Sequence, residues 1–320
     1  MHDAEEPLDR LALKRRPGSA WAAALVLALS LAVLQASAQV NVVVTTPDLK
    51  SITEAVSGGA ARVQSLIPPG ADPEAFEPRP AHLVALREAG LVVRIGAGYE
   101  HWLDRLIQQA AKPHLRPGAE GYLDASAGIA LLEHRGRSVT ITPGHAHGSA
   151  NPHYWLDPVN GLAVAQRIAE TLARLAPAQR AGIEAAHARF AAELQRRTAE
   201  WQKTLEPYKG APLVTYHNTW PYFARRFRLN IVEVIEQKDG VPPSVARLAG
   251  VAKTMREREV RAVLHEPFQP IDASRALGER TGARVVVLAP SVGSLPETSD
   301  YLKLFDSNVR QLAKALAPAQ

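Results

Sequence analysis

From Val40 onward, short β-branched apolar runs alternate with longer stretches whose apolar residues recur at helical spacing. The run VNVVVT at Val40–Thr45 predicts a strand of a parallel sheet, because a strand covered on both faces loses the apolar–polar alternation of a half-exposed one. The same signal predicts strands at Arg62–Ile67, Leu91–Ile95, Pro212–Tyr216, Asn230–Ile235, Arg261–Glu266 and Ala283–Leu288. Helical spacing predicts helices from about Leu49 and over Pro80–Ala89, Glu100–Ala111, Pro243–Arg256, Ala273–Arg280 and Thr298–Leu316.

Between the two groups the period changes. Leu162, Ile168, Leu172 and Leu175 share one helical face, and beyond Pro177 so do Ile183, Phe190, Leu194, Trp201 and Leu205. This is one long amphipathic helix with few breakers, closing near Pro207 and Gly210. The fold class expected is therefore α/β: two parallel-sheet lobes joined by a long connecting helix. The expected boundaries are 39–170 for the first lobe, 171–209 for the linking helix and 210–320 for the second lobe. A ligand site belongs in the cleft between lobes, where loops leave the carboxyl ends of the strands.

Composition narrows the classes. The chain has 320 residues, 46% hydrophobic and 22% charged, enough apolar residues for sizeable cores. Its net charge of +5 comes without a Lys/Arg-rich run, so nucleic acid is not an expected partner. Cysteine is absent, which excludes a thiolate nucleophile and a Cys-based metal site. At the N-terminus, Lys14, Arg15 and Arg16 precede an apolar run from Trp21 to Leu34 and then Ala36-Ser37-Ala38. That order reads as a cleaved signal peptide over 1–38, since an apolar run of about 14 residues is short for a membrane span. The expected product is a secreted, soluble protein.

Chemistry-bearing residues gather at loop ends. His153 sits in NPHYWLDP between Pro152 and Pro158, and a loop stiffened in advance loses little entropy when an ion arrives. Asp157 in the same loop is either a helix-capping acid or a second-shell partner that orients the His153 ring. His217, in TYHNTW, ends a predicted strand where a neutral imidazole can face the cleft, or caps the next helix. Glu266 ends the apolar strand of AVLHEP, where a carboxylate is expected to be paired or coordinating. His145 and His147 form a short His pair that could capture metal loosely. PPGADPEAFEPRP, residues 68–80, holds Asp72, Glu74 and Glu77 on a proline-stiffened loop. No P-loop, complete GxGxxG, GxSxG or HExxH occurs.

Taken in order, PPGADPEAFEPRP, GAGYEHWLDRL, NPHYWLDP, TYHNTWPYF and AVLHEP resemble the cluster A-I periplasmic metal-binding proteins, which serve ABC importers of zinc, manganese or iron. The resemblance implies metal between the lobes, held by His and carboxylate side chains. It maps ligand roles onto His153 and His217, and places Glu74 where the family carries a His. The Asp that many members supply in an L-D-P segment is Ala289 here, so Glu266 is the expected replacement. An N2O2 set suits zinc, with manganese or ferrous iron as the alternative. The implied function is a periplasmic receptor that delivers its ion to an inner-membrane ABC permease, acting as a monomer and not as an enzyme. A degenerate receptor and a secreted metalloenzyme are the competing readings.

Overall fold

The computed structural model describes residues 39–73, 75–132, 150–238 and 240–318. The first sheet holds β1 (Val40–Val44), β2 (Ala61–Ser65), β3 (Leu91–Arg94) and β4 (Tyr122–Asp124), in the order β2-β1-β3-β4. The second holds β5 (Pro212–Thr215), β6 (Asn230–Val234), β7 (Ala262–His265) and β8 (Arg284–Val287), in the order β6-β5-β7-β8. Every pairing is parallel, so the two sheets repeat one topology. In each, the chain reverses winding direction beside the first strand, and the crevice at that point opens at the carboxyl ends of β1 and β3 or of β5 and β7. The short strand β4 has no counterpart among the expected elements, because three residues carry no measurable periodicity.

Helices α1 (Pro47–Val56), α2 (Pro80–Glu88) and α3 (His101–Ala110) accompany the first sheet. The second is accompanied by α6 (Pro221–Arg226), α7 (Val245–Glu257), α8 (Asp272–Thr281) and α9 (Tyr301–Leu316). The link departs from a single helix over 171–209. It consists of α4 (Pro158–Leu175), a 3-10 turn at Pro177–Gln179, and α5 (Arg180–Leu205). Pro177 has no N–H to continue the α4 ladder, and the preceding Ala176 leaves helical geometry at φ −129°, ψ 66°. At Gly161 in α4 an added Cβ would stand 2.4 Å from the Tyr301 hydroxyl oxygen, so the close approach of α9 depends on glycine there.

The alternation of side chains along each strand divides the core. Val42 and Val44 of β1, Leu213 of β5, and Ala262 and Leu264 of β7 enter one continuous cluster, whereas Val43 belongs to a separate cluster under α2 and α3, and Val214 and Val263 to another under α7 and α8. The shared cluster runs through Ile168 and Leu172 of α4, Leu194 and Trp201 of α5, and Phe305 and Leu312 of α9. Trp201 stacks on Phe305 with ring centroids 5.0 Å apart, which fixes α5 against α9. The two lobes are therefore joined by packing as well as by chain, within one unit from Gln39 to Gln320.

Candidate metal centre

The turn after β3 is built around Glu100. Its buried carboxylate accepts hydrogen bonds from Ile95 N at 2.6 Å, Gly96 N at 3.0 Å and Thr45 Oγ1 at 2.5 Å, and faces Arg94. Burial pushes its carboxyl up, and Arg94 is the chief opposing influence. Gly96, Ala97 and Gly98 all have positive φ, and at Gly96 a Cβ would fall 1.9 Å from Asp124 Oδ1. This explains the GAGYE string: the glycines and Glu100 make a tight turn that sets Tyr99 against a narrow cavity between the lobes.

His153 enters that cavity from the first lobe, and His217 from the second. Both are buried, each 5% exposed. The His153 backbone N–H donates to Asn151 Oδ1 at 2.9 Å, and its Nδ1 lies 3.1 Å from the same oxygen. A backbone N–H can only donate, so the Asn151 atom facing it is the carbonyl oxygen, and the amide nitrogen donates across to Asn218 O at 2.7 Å. An oxygen acceptor facing Nδ1 places the His153 proton there and the lone pair on Nε2. His217 follows the same logic: its Nδ1 donates to Glu236 Oε2 at 2.5 Å. With Nδ1 facing an oxygen acceptor, each ring can offer Nε2 to a metal ion.

The His153 and His217 ring centroids are 5.8 Å apart, with the planes at 75°. With Zn–N at about 2.0–2.1 Å and a further ~1.1 Å from nitrogen to ring centre, two rings on one ion have centroids at most about 6.4 Å apart. The observed separation lies inside that limit. Asp72, on the proline-rich loop, lines the same cavity. Among the described residues no three His, Cys, Asp or Glu side chains converge in ligand geometry. Glu74, His145 and His147 lie outside the described residues.

Of the two readings of Asp157 the helix cap is the one present, and Glu266 stands apart from any set of three ligands among the described residues. The Asp157 carboxylate does not orient His153. It caps α4 by accepting Val159 N at 2.9 Å, and pairs with Arg226 of the second lobe at 2.7 and 3.0 Å. Among the described residues, the side chain that faces His153 Nδ1 is that of Asn151, two positions earlier. Glu266 is fully buried and stands beside His217 without joining both histidines in one set of three. Its Oε1 accepts the Trp220 indole N–H at 2.7 Å, while among the described residues Oε2 has no hydrogen-bond partner. Burial pushes its carboxyl up to about 7, opposed chiefly by His217. His265, on the other face of β7, is structural, its ring held by Ser274 Oγ and Gln269 O.

Where the family's Asp would fall, Ala289 is pinned by both amide atoms of Asn308, at 2.8 and 2.9 Å. The next residues reach across to the first lobe. Pro290 O accepts the Trp155 indole N–H at 2.9 Å, and Asp48 accepts from Ser291 Oγ and from Val292 N, the latter at 3.0 Å. Asp48 is fully buried, and burial pushes its carboxyl up to about 6. A raised native value means that the folded state holds this proton where the unfolded chain has lost it. The resulting stabilisation is complete below about pH 4 and is lost as pH rises through about 6. Its size is roughly 3 kcal/mol between those limits. The expected result for Asp48→Asn is higher stability at pH 7 and a flatter profile from pH 4 to 7, read from urea midpoints. Parallel wild-type and variant profiles would refute it.

The family described as "ZnuA: Zinc-uptake complex component A periplasmic" matches residues 42–315. The high-affinity zinc uptake system protein ZnuA of Paracoccus denitrificans is 31% identical over 264 residues, covering 76% of this chain and 80% of that protein. The zinc-binding lipoprotein AdcA of Streptococcus pneumoniae is 24% identical over 286 residues; that match covers 87% of this chain but 56% of the longer lipoprotein. A zinc-bound crystal structure of a ZnuA deletion mutant superposes with a TM-score of 0.75 at 29% identity, covering 88% of this chain and all of that one.

Proposed function

Because the chain belongs to the family of periplasmic zinc-uptake component A proteins, we propose that it is an extracytoplasmic solute-binding protein that captures zinc and delivers it to an ABC-type importer. The observation that carries this reading is the buried pair His153 and His217, brought from opposite lobes to a centroid separation of 5.8 Å with each Nδ1 facing an oxygen acceptor. In this reading the two Nε2 atoms hold the ion. The Glu74 carboxylate completes the set from the proline-stiffened loop, and buried Glu266 adds negative charge beside His217. His145 and His147 serve as an auxiliary capture point. Manganese and ferrous iron are the competing cargoes, since each carboxylate oxygen added to the set moves it toward harder ions.

Capture and release are the whole activity, so the protein is a receptor, not an enzyme. It works in the periplasm as a monomer after loss of a signal peptide over 1–38, and its partner is a permease in the inner membrane. The test is elemental analysis of untagged protein purified without chelators. The expected result is about one equivalent of zinc per chain, removed by dialysis against a chelator and restored by added zinc. Protein that stays metal-free and gives no heat on titration with zinc, manganese or ferrous iron would sink the reading.

A further inference from the structure

His217 and Glu236 leave the carboxyl ends of neighbouring strands. Glu236 N donates to Tyr216 O at 2.9 Å, so the β5–β6 register places the two side chains together. Glu236 is 4% exposed, and both its oxygens are engaged: Oε2 accepts His217 Nδ1–H at 2.5 Å, and Oε1 accepts Gly240 N at 2.8 Å. Gly240 lies in a turn with φ +73°. The carboxylate thus ties a turn and an imidazole at once.

We infer that Glu236 is a positioning residue that fixes the tautomer of His217 and thereby sets the metal affinity of the site. The inference rests on the reading that His217 holds the metal. Two imidazoles share the cavity, but their partners differ. His153 donates to the neutral amide of Asn151, whereas His217 donates to a carboxylate. A carboxylate is the stronger acceptor and makes the opposite nitrogen a better donor to a divalent ion. It also adds a negative charge close to the cation without using a coordination position. No short motif carries this residue, because its partner is 19 positions away and meets it only through strand pairing.

The chemistry gives a sharp substitution. Glutamine at 236 has one acceptor oxygen where the carboxylate has two. If that oxygen keeps the Gly240 N–H, the amide NH2 faces His217 Nδ1 and moves the ring proton to Nε2, the coordinating nitrogen. If it keeps the His217 proton, NH2 meets the Gly240 N–H and the turn loses its anchor.

The experiment is long-range 15N–1H NMR of histidine side chains in the purified metal-free protein, with His217→Ala assigning the signal, alongside zinc titration calorimetry. Wild type is expected to carry the His217 proton on Nδ1. E236Q is expected to lose that signature and to bind zinc about 10- to 100-fold more weakly. The double variant H217A/E236Q should bind no more weakly than H217A, since Glu236 acts through the ring. A wild-type His217 protonated on Nε2 overturns the inference, as does E236Q binding within about twofold of wild type. If wild type binds no metal, the receptor reading falls, while the wild-type tautomer still decides the role of Glu236.

Discussion

Replacing His153 and His217 together with alanine is expected to abolish the rise in melting temperature that zinc gives the wild-type protein. A ligand that binds only the folded state stabilises it by about 2.7 kcal/mol at a hundredfold excess over its dissociation constant. For a chain of this size that is a shift of roughly 5 °C. Each variant is compared with its own metal-free melt, so the packing lost with the two buried rings cancels. Each single variant should retain part of the shift, because one fixed nitrogen and the loop carboxylates remain. A double variant that still shifts by the wild-type amount would show that the ion sits elsewhere.

The second large effect concerns the joint between the lobes. Arg226→Met is expected to destabilise the protein by about 3 kcal/mol. Arg226 clamps Asp157 with two hydrogen bonds, and the Asp157 side chain is 1% exposed against 27% for Arg226. Removing the cation leaves a buried carboxylate with the α4 backbone and with Arg225 at 3.9 Å, which places the cost at the lower end for a broken buried pair. Asp157→Asn combined with Arg226→Met should recover part of the loss, because the uncompensated charge is then gone. Urea denaturation of the three proteins measures it, and an R226M midpoint equal to wild type would refute the clamp.

Much of the architecture was legible along the chain because its signals are local. The apolar runs at Val42–Val44 and Ala262–Leu264 announce buried strands, and the seven expected strands are present with ends shifted by at most two residues. The face Ile183, Phe190, Leu194, Trp201 and Leu205 is the buried face of α5. That His153 and His217 face one cavity was also legible, since prolines and strand ends mark where loops present side chains.

What stayed hidden was each choice of partner. Asp157 and Asn151 lie in one short loop, and nothing local says which of them meets the His153 ring; the answer depends on Arg226, 69 positions away, drawing Asp157 to the other lobe. Glu266 follows an apolar strand as expected, yet its Oε1 accepts the indole N–H of Trp220, 46 positions away. Glu236, Asp48 and Ser291 gain their roles only when strand register and lobe packing bring together groups 19 and 243 residues apart. Periodicity is a property of neighbours on the chain and therefore reports elements and faces. Hydrogen-bond partners across a folded core are chosen by three-dimensional packing, to which sequence spacing is blind.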